Sequence, residues 1–271
     1  MPSSHCKGFS LVELSIVLVI LGLLTGGILA GQSLIRAAEL RSVATEYQRW
    51  ISAINGFRDK YMAIPGDMAN ATRFWQRMRN TTDCVTNSSA TVVDTGVCDG
   101  TGDGMIAWDN SATGATHVNE MHQFWRQLAA AGFIDGNYTG FAINNSASVV
   151  PGTNSPSSKL THAGWGAGGK YNCGSNGSQC FYGTTASVYR NYLAFGAYTG
   201  GNIPNTAVLL PDEAWNIDVK LDDGKPGTGF IIPQWRAANQ CTTSSSNTDY
   251  TGTYNMSSST VYCSFLFVNP F

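Results

Sequence analysis

Residues Lys7–Ala30 read KGFSLVELSIVLVILGLLTGGILA. From Leu14 to Ala30 this stretch carries no charge, and that is about the shortest apolar run that spans a bilayer as a helix. One carboxylate, Glu13, stands at its edge. A carboxylate in such a segment costs roughly 2.5–3.5 kcal/mol on insertion scales, so something must offset it. Within one chain, a position near a helix N-terminus does so through the macrodipole. Gly22, Gly26, Gly27 and Gly31 interrupt the run. Each weakens a helix by up to about 1 kcal/mol relative to Ala, while small residues also let helices pack closely.

The helical pattern continues past the apolar run. Leu40, Val43, Tyr47, Trp50, Ile54, Phe57 and Tyr61 recur at alternating spacings of three and four, a helical stripe. Glu39, Arg41, Glu46, Arg49, Arg58 and Asp59 fall off it, and no proline occurs from Phe9 to Ile64. A helix from Phe9 to about Tyr61 would be roughly 80 Å long at about 1.5 Å per residue. Its first half is apolar all round and its second has one apolar face. The first half requires lipid or like helices around it, and the second a globular domain. A coiled-coil dimer is the competing use of the stripe, although aromatic residues on one seam suit a sheet better.

The set Lys7-Gly8-Phe9-Ser-Leu11-Val-Glu13, with Leu14 and the apolar run behind it, resembles the N-terminus of class III signal proteins, the type IV pilin and type II secretion pseudopilin family. An ordinary secretory signal is cut after its apolar region, which is discarded. The resemblance places the cut before it, so the apolar segment stays in the mature chain. It implies a leader over 1–8, cleavage after Gly8 by a prepilin peptidase, and N-methylation of Phe9. It also implies an assembly role in which Glu13 meets the N-terminal amine of a neighbouring subunit as the helices bundle. The implied organisation is a transmembrane and assembly half-helix over 9–35 and a globular pilin-like domain over 36–271, whose first part, 36–62, is the amphipathic half-helix. Many pilins carry a proline late in the apolar segment. Here Ala30 and Gly31 occupy that region, so any local melting would fall to the glycines.

Composition supports export. Charged residues are 13%, against roughly 25% in average soluble proteins. The net charge of −2 gives no electrostatic basis for binding nucleic acid. Of seven cysteines, Cys6 lies in the leader. Local spacing among the other six favours the disulfides Cys84–Cys98, Cys173–Cys180 and Cys241–Cys263 over other pairings. Disulfides persist in the periplasm and outside the cell. No C-x₂-C pair of the zinc type occurs. With the cytoplasmic N-terminus that the resemblance implies, the expected location is the inner membrane, single-pass with a periplasmic domain, and then a periplasmic or extracellular filament.

Pro65-Gly66-Asp67 ends the long helix, and Asp67 is placed to cap a short one over about Met68–Arg79. Asn80–Asn110 reads as loop and Thr116–Ala131 as a helix with Met121, Phe124, Trp125 and Leu128 inward, stopped by Gly132. Phe133–Ile143 is expected to hold a strand, and Asn144–Gly183, rich in Gly, Ser and Asn, an irregular excursion. Strands are expected at Val188–Tyr198, Gly229–Arg236 and Val261–Val268, with a Pro-initiated helix at Pro211–Lys220 and a turn at Asp222–Lys225. The fold class is α+β: one long helix packed on an antiparallel sheet, with disulfide-closed loops. Trp215–Gly229 and Pro65-Gly66-Asp67 resemble segments of large pilin-like proteins.

Three motifs point elsewhere. Asp99, Thr101 and Asp103, followed by Gly104 and Ile106, have the order of a calcium loop's first ligands. Asn110 stands where the bidentate Glu belongs, so a solvated glycine-rich turn competes with a calcium site. His117, Glu120 and His122 resemble a zinc-protease helix, but the histidines are five apart rather than four, and exposed helix residues are the plainer reading. Gly164-Trp-Gly166-Ala-Gly-Gly169 matches the dinucleotide fingerprint without the strand and helix that it needs. No catalytic residue is expected, and no cofactor beyond the candidate calcium. The expected partners are other copies or other pilins through the N-terminal helix, prepilin peptidase, an inner-membrane assembly platform, and lipid before assembly. The rival reading is a membrane-anchored periplasmic binding protein or enzyme with a pilin-like N-terminus, which would not need Gly8, Phe9 and Glu13 together.

Overall fold

The computed structural model describes residues 10–77, 96–106, 120–141, 148–172, 188–200, 203–234, 240–244, 249–268 and 270–271. Helix α1, Leu11–Tyr61, is one unbroken element of 51 residues. Ser10 caps it, and Met62 ends it in the left-handed conformation at φ 53°. The remaining elements are α2 (Thr72–Trp75), α3 (Glu120–Ala130), β1 (Gly164–Asn172), β2 (Val188–Gly196), α4 (Pro211–Leu221), β3 (Ile231–Pro233) and β4 (Phe265–Val268). The strands form one sheet in the order β1-β2-β4-β3, every pair antiparallel. Long helix plus antiparallel sheet is the expected α+β class.

The second half of α1 lies on this sheet. Val43, Tyr47, Trp50, Ala53, Ile54 and Phe57 are buried, while Leu40 and Tyr61 are partly covered at the two ends of the stripe. Tyr47 stacks on Phe267 at 4.4 Å, and Phe267 meets Trp165, which meets Phe195. Of the aromatic residues on the stripe, Tyr47 meets a strand, whereas Trp50 and Phe57 meet rings outside the sheet. Trp50 packs edge-on against Trp125 of α3 at 5.4 Å, and Phe57 meets Phe133 and Trp75. The carboxylates beside the stripe bind the segment leading into β1. Glu46 accepts from Ser158 Oγ, Lys159 N and Trp165 Nε1 at 2.7–2.8 Å, and Glu39 accepts from Thr161 Oγ1.

Helix α3 departs from a simple amphipathic element. Met121, Phe124, Trp125 and Leu128 are inward as expected, yet Glu120, His122, Gln123, Arg126 and Gln127 are buried too. The polar side chains satisfy irregular backbone that has no sheet partner. Gln123 accepts from Cys98 N and donates to Gly140 O. Gln127 accepts from Gly66 N and donates to Cys98 O. Arg126 donates to Gly96 O and Tyr138 O. Buried polar backbone demands such partners.

Four local expectations are corrected. The helix after Pro65 is only Thr72–Trp75, and Asp67 does not cap it. Asp67 instead turns to Gly102, Asp103 and Gly104, and Asp99 binds Thr72. Residues 133–141 form no strand: their backbone is bound by α3 at Phe133, Tyr138 and Gly140 and by Thr153 and Asn154 at Thr139 and Phe141. The stretch expected to be irregular over 144–183 contains β1. Its glycines are set by neighbours: a Cβ at Gly168 would lie 2.5 Å from Tyr192 Oη, and one at Gly164 2.2 Å from Pro151 Cγ.

Candidate functional site

The N-terminal end of α1 is built by Ser10 and Glu13. Ser10 Oγ accepts from Val12 N at 3.3 Å, and Glu13 Oε2 accepts from Ser10 N at 2.8 Å. Two of the free N–H groups of the helix end are thereby satisfied. The carboxylate is folded back over the residue that follows Phe9. Gly8 and Phe9 themselves lie outside the described residues.

Beyond this cap, α1 stands free of its own domain. One helix among the described residues is long and apolar enough to cross a membrane, and none of its apolar window is buried within the chain. Leu11, Leu18, Leu23 and Leu29 are 61–87% exposed. A Cβ at Gly22, Gly26, Gly27 or Gly31 would meet nothing within 4 Å, so among the described residues these small residues serve no contact.

The free half ends at Arg36. Its guanidinium makes a bidentate pair with Glu213, Nε and Nη2 each 2.6 Å from a carboxylate oxygen, and Nη2 also donates to Val208 O at 3.0 Å. Glu39 adds a second acid at 3.5 Å. The Glu213 carboxylate, more than the opposing desolvation, holds the guanidinium pKa above its ordinary value. Glu213 accepts from Leu210 N as well, so one side chain caps α4 and holds α1. Sequence reasoning missed this pair, which spans 177 positions. Its available signals were Arg36 as the first charge after the apolar run and Glu213 in the first turn of a Pro-initiated helix.

The calcium-like loop is organised around a carboxylate. Asp67 accepts from Thr101 Oγ1, Gly102 N, Asp103 N and Gly104 N at 2.6–3.1 Å. Asp99 uses both oxygens on Thr72, at 2.8 and 2.9 Å, and Asp103 Oδ1 accepts from Met105 N. Asp99, Thr101 and Asp103 are thus committed to different partners, and the loop turns N–H donors inward rather than oxygen ligands. An acidic trio occurs instead in the last turn of α4 and just past its end. Among the described residues, Asp218, Asp222 and Asp223 bring ligand atoms within 4.8 Å of one another. Each is already engaged. Asp218 accepts from Tyr254 Oη (2.7 Å) and Gly224 N, Asp222 from Phe230 N and Ile231 N, and Asp223 from Lys225 N and Thr228 Oγ1. Asp222 ties the end of α4 to β3, Asp223 closes the turn between them, and Asp218 ties α4 to Tyr254. Burial, reinforced by Asp222 and Asp223, pushes the Asp218 carboxyl up to about 6 against the pull of its hydrogen bonds.

Of the expected disulfides, Cys241–Cys263 is formed, with Cα atoms 5.2 Å apart. Cys98 is disulfide-bonded, while Cys84, Cys173 and Cys180 lie outside the described residues. His122 and Glu120, expected to be exposed, are fully buried, and His117 lies outside the described residues. His122 Nε2 lies 3.0 Å from Ser148 O, and burial lowers its pKa to about 3. The ring is a neutral core donor. The fingerprint-like Gly164–Gly169 lies within strand β1 rather than in a turn.

Comparison with known proteins bears on the N-terminal end. Residues 3–29 match the family model described as the prokaryotic N-terminal methylation motif. No curated protein and no solved structure matches the chain. The matched segment contains Gly8, Phe9 and Glu13 and runs into the exposed half of α1. The match supports a type IV pilin-like N-terminus with a class III signal peptide, at the head of a long helix that an α+β domain follows.

Proposed function

We propose that this chain is a structural subunit of a type IV pilus or type II secretion pseudopilus, with assembly rather than catalysis as its activity. The observation that carries the reading is the junction of a methylation motif at residues 3–29 with a helix whose apolar window is wholly unburied in its own chain. Such a surface requires a partner, since exposed apolar area in water is unfavourable by about 25 cal/mol per Å². Lipid provides it first and like helices afterwards. In this scheme prepilin peptidase cuts after Gly8, Phe9 is methylated, and the domain faces the periplasm. An inner-membrane platform then stacks the helices with other copies or other pilins.

Glu13 is the specific element of the scheme. Its carboxylate already lies over Ser10 N, next to the amine that cleavage would create on Phe9. In a bundle a neighbour's amine would reach the same place and neutralise a charge that is costly in an apolar surrounding. The test is mass spectrometry of the chain from sheared surface filaments and from periplasmic fractions. A mature N-terminus at Phe9 with one added methyl group is expected, and the fraction that holds it separates pilus from pseudopilus. A chain that retains Cys6 would refute the reading.

A further inference from the structure

Helix α4 runs beside the beginning of the domain-bound half of α1. Glu213, in its first turn, holds Arg36. Asp222, just past its end, holds the backbone of Phe230, whose ring stacks on Tyr47. Arg36 to Tyr47 and Glu213 to Asp222 each correspond to roughly 15 Å of helix, so the two helices run side by side in the same direction. The N-terminus of α4 is at the level where α1 leaves the domain. Pro211, Glu213, Ala214, Ile217 and Asp218 form its buried face. The outward face carries Trp215, 40% exposed, and Val219, 49% exposed, flanked by Asp212, Asn216 and Lys220.

This face begins at the level where the apolar surface of α1 ends, since Glu213 binds Arg36. Leu34 and Ile35 are 71% and 64% exposed immediately before Arg36. No charge occurs from Leu14 to Ile35, a helical length of roughly 33 Å against about 30 Å of bilayer hydrocarbon. With that run in the bilayer, Arg36 and Glu213 emerge among the headgroups, and Trp215 sits roughly 3 Å further along the axis of α4. An indole has an apolar body and an N–H donor, which suits it to this layer.

We infer that, before assembly, the domain rests on the lipid bilayer that holds α1, with Trp215 among the headgroups and Leu34 and Ile35 just beneath. The inference rests on the membrane-crossing reading of the apolar half of α1. Asp212 and Lys220 oppose each other in charge, so the contact depends on the indole and its apolar neighbours and does not require anionic lipid. It fixes the tilt of the domain about the exit point of α1, and leaving the bilayer uncovers Trp215.

The full chain reconstituted in phosphatidylcholine vesicles tests this. One set of vesicles carries acyl chains brominated near the headgroup end, which quench nearby indoles. Trp50, Trp125 and Trp165 are buried in the domain, and the difference between wild type and Trp215→Phe isolates Trp215. That difference emission should fall severalfold on bromination. An unquenched difference signal from chain that resists alkaline extraction overturns the docking alone. Release of the chain by alkaline extraction overturns the membrane reading together with the docking. Copy-to-copy cross-linking through residue 215 in the same vesicles, without quenching, identifies a second copy as the occupant and also overturns the proposal.

Discussion

Glu13 has a use inside a single chain, because its carboxylate closes the N-terminal turn of α1 on Ser10 N. Removing it has opposite effects on two steps. Insertion gains, since a carboxylate in an apolar segment costs roughly 2.5–3.5 kcal/mol. Bundling loses the partner of the Phe9 amine. Glu13→Ala is therefore expected to stay in the membrane fraction and to yield few or no filaments, and normal filament yield would remove the pairing role. Asp218 gives a prediction about pH. Its carboxyl is raised from 3.8 to about 6, so the fold favours the protonated form. The stabilising contribution of this group is complete below about pH 3.8 and is lost as pH rises through about 6. Asp218→Asn keeps a neutral acceptor for Tyr254 Oη and has no charge to bury. Measured in EDTA, its melting temperature relative to wild type should be higher at pH 8 than at pH 4. A difference that does not vary with pH would show that Asp218 does not titrate in this way.

Helix α1 was legible in the sequence because its apolar residues repeat with a helical period and no proline interrupts them. Its stripe predicts a sharp contrast between neighbours. Trp50 is 4% exposed and packs on Trp125, so Trp50→Ala should cost about 3–5 kcal/mol. Arg49 is half exposed and pairs with the fully exposed Asp135, so Arg49→Ala should cost about 1 kcal/mol or less. Chemical denaturation of both variants measures this, and equal losses would refute the assigned face. Strands β2 and β4 and helix α4 were legible for similar local reasons, namely apolar runs and a proline at a helix start. Strand β1 was not, because its glycines make room for Tyr192, Pro151 and Pro204, which arrive from distant positions. The polar face of α3 was also hidden. Nothing in the sequence shows that Gln123 must satisfy Cys98 N and Gly140 O. Gln123→Leu should therefore destabilise despite its greater hydrophobicity, by about 1–3 kcal/mol for each group left unpaired. Unchanged or raised stability in the same denaturation series would show that those groups find other partners. Of the functional end, Gly8, Phe9 and Glu13 were legible because they lie together in sequence, whereas Arg36 and Glu213 meet only through the fold.

At the scale of the molecule, the two halves of α1 make opposite demands. The half from Leu11 to Ile35 is exposed, and the half from Val43 to Phe57 is already covered by the chain's own domain, with Val43, Ile54 and Phe57 at 0% exposure. A coiled-coil dimer through the stripe would have to displace Phe267, Trp125 and Phe133 from it, at a cost comparable to the roughly 5–15 kcal/mol that holds a typical domain together. The chain cut before Arg36 keeps the Glu213 pair, the sheet and the Cys241–Cys263 disulfide. It is expected to sediment as a monomer at every concentration when produced in an oxidising compartment. The full chain, with its free half-helix, is expected to require detergent or lipid and to self-associate when these are withdrawn. A concentration-dependent dimer of the truncated chain would mean that the stripe is shared between copies. Detergent-free monomers of the full chain would mean that the apolar half of α1 finds its cover at home.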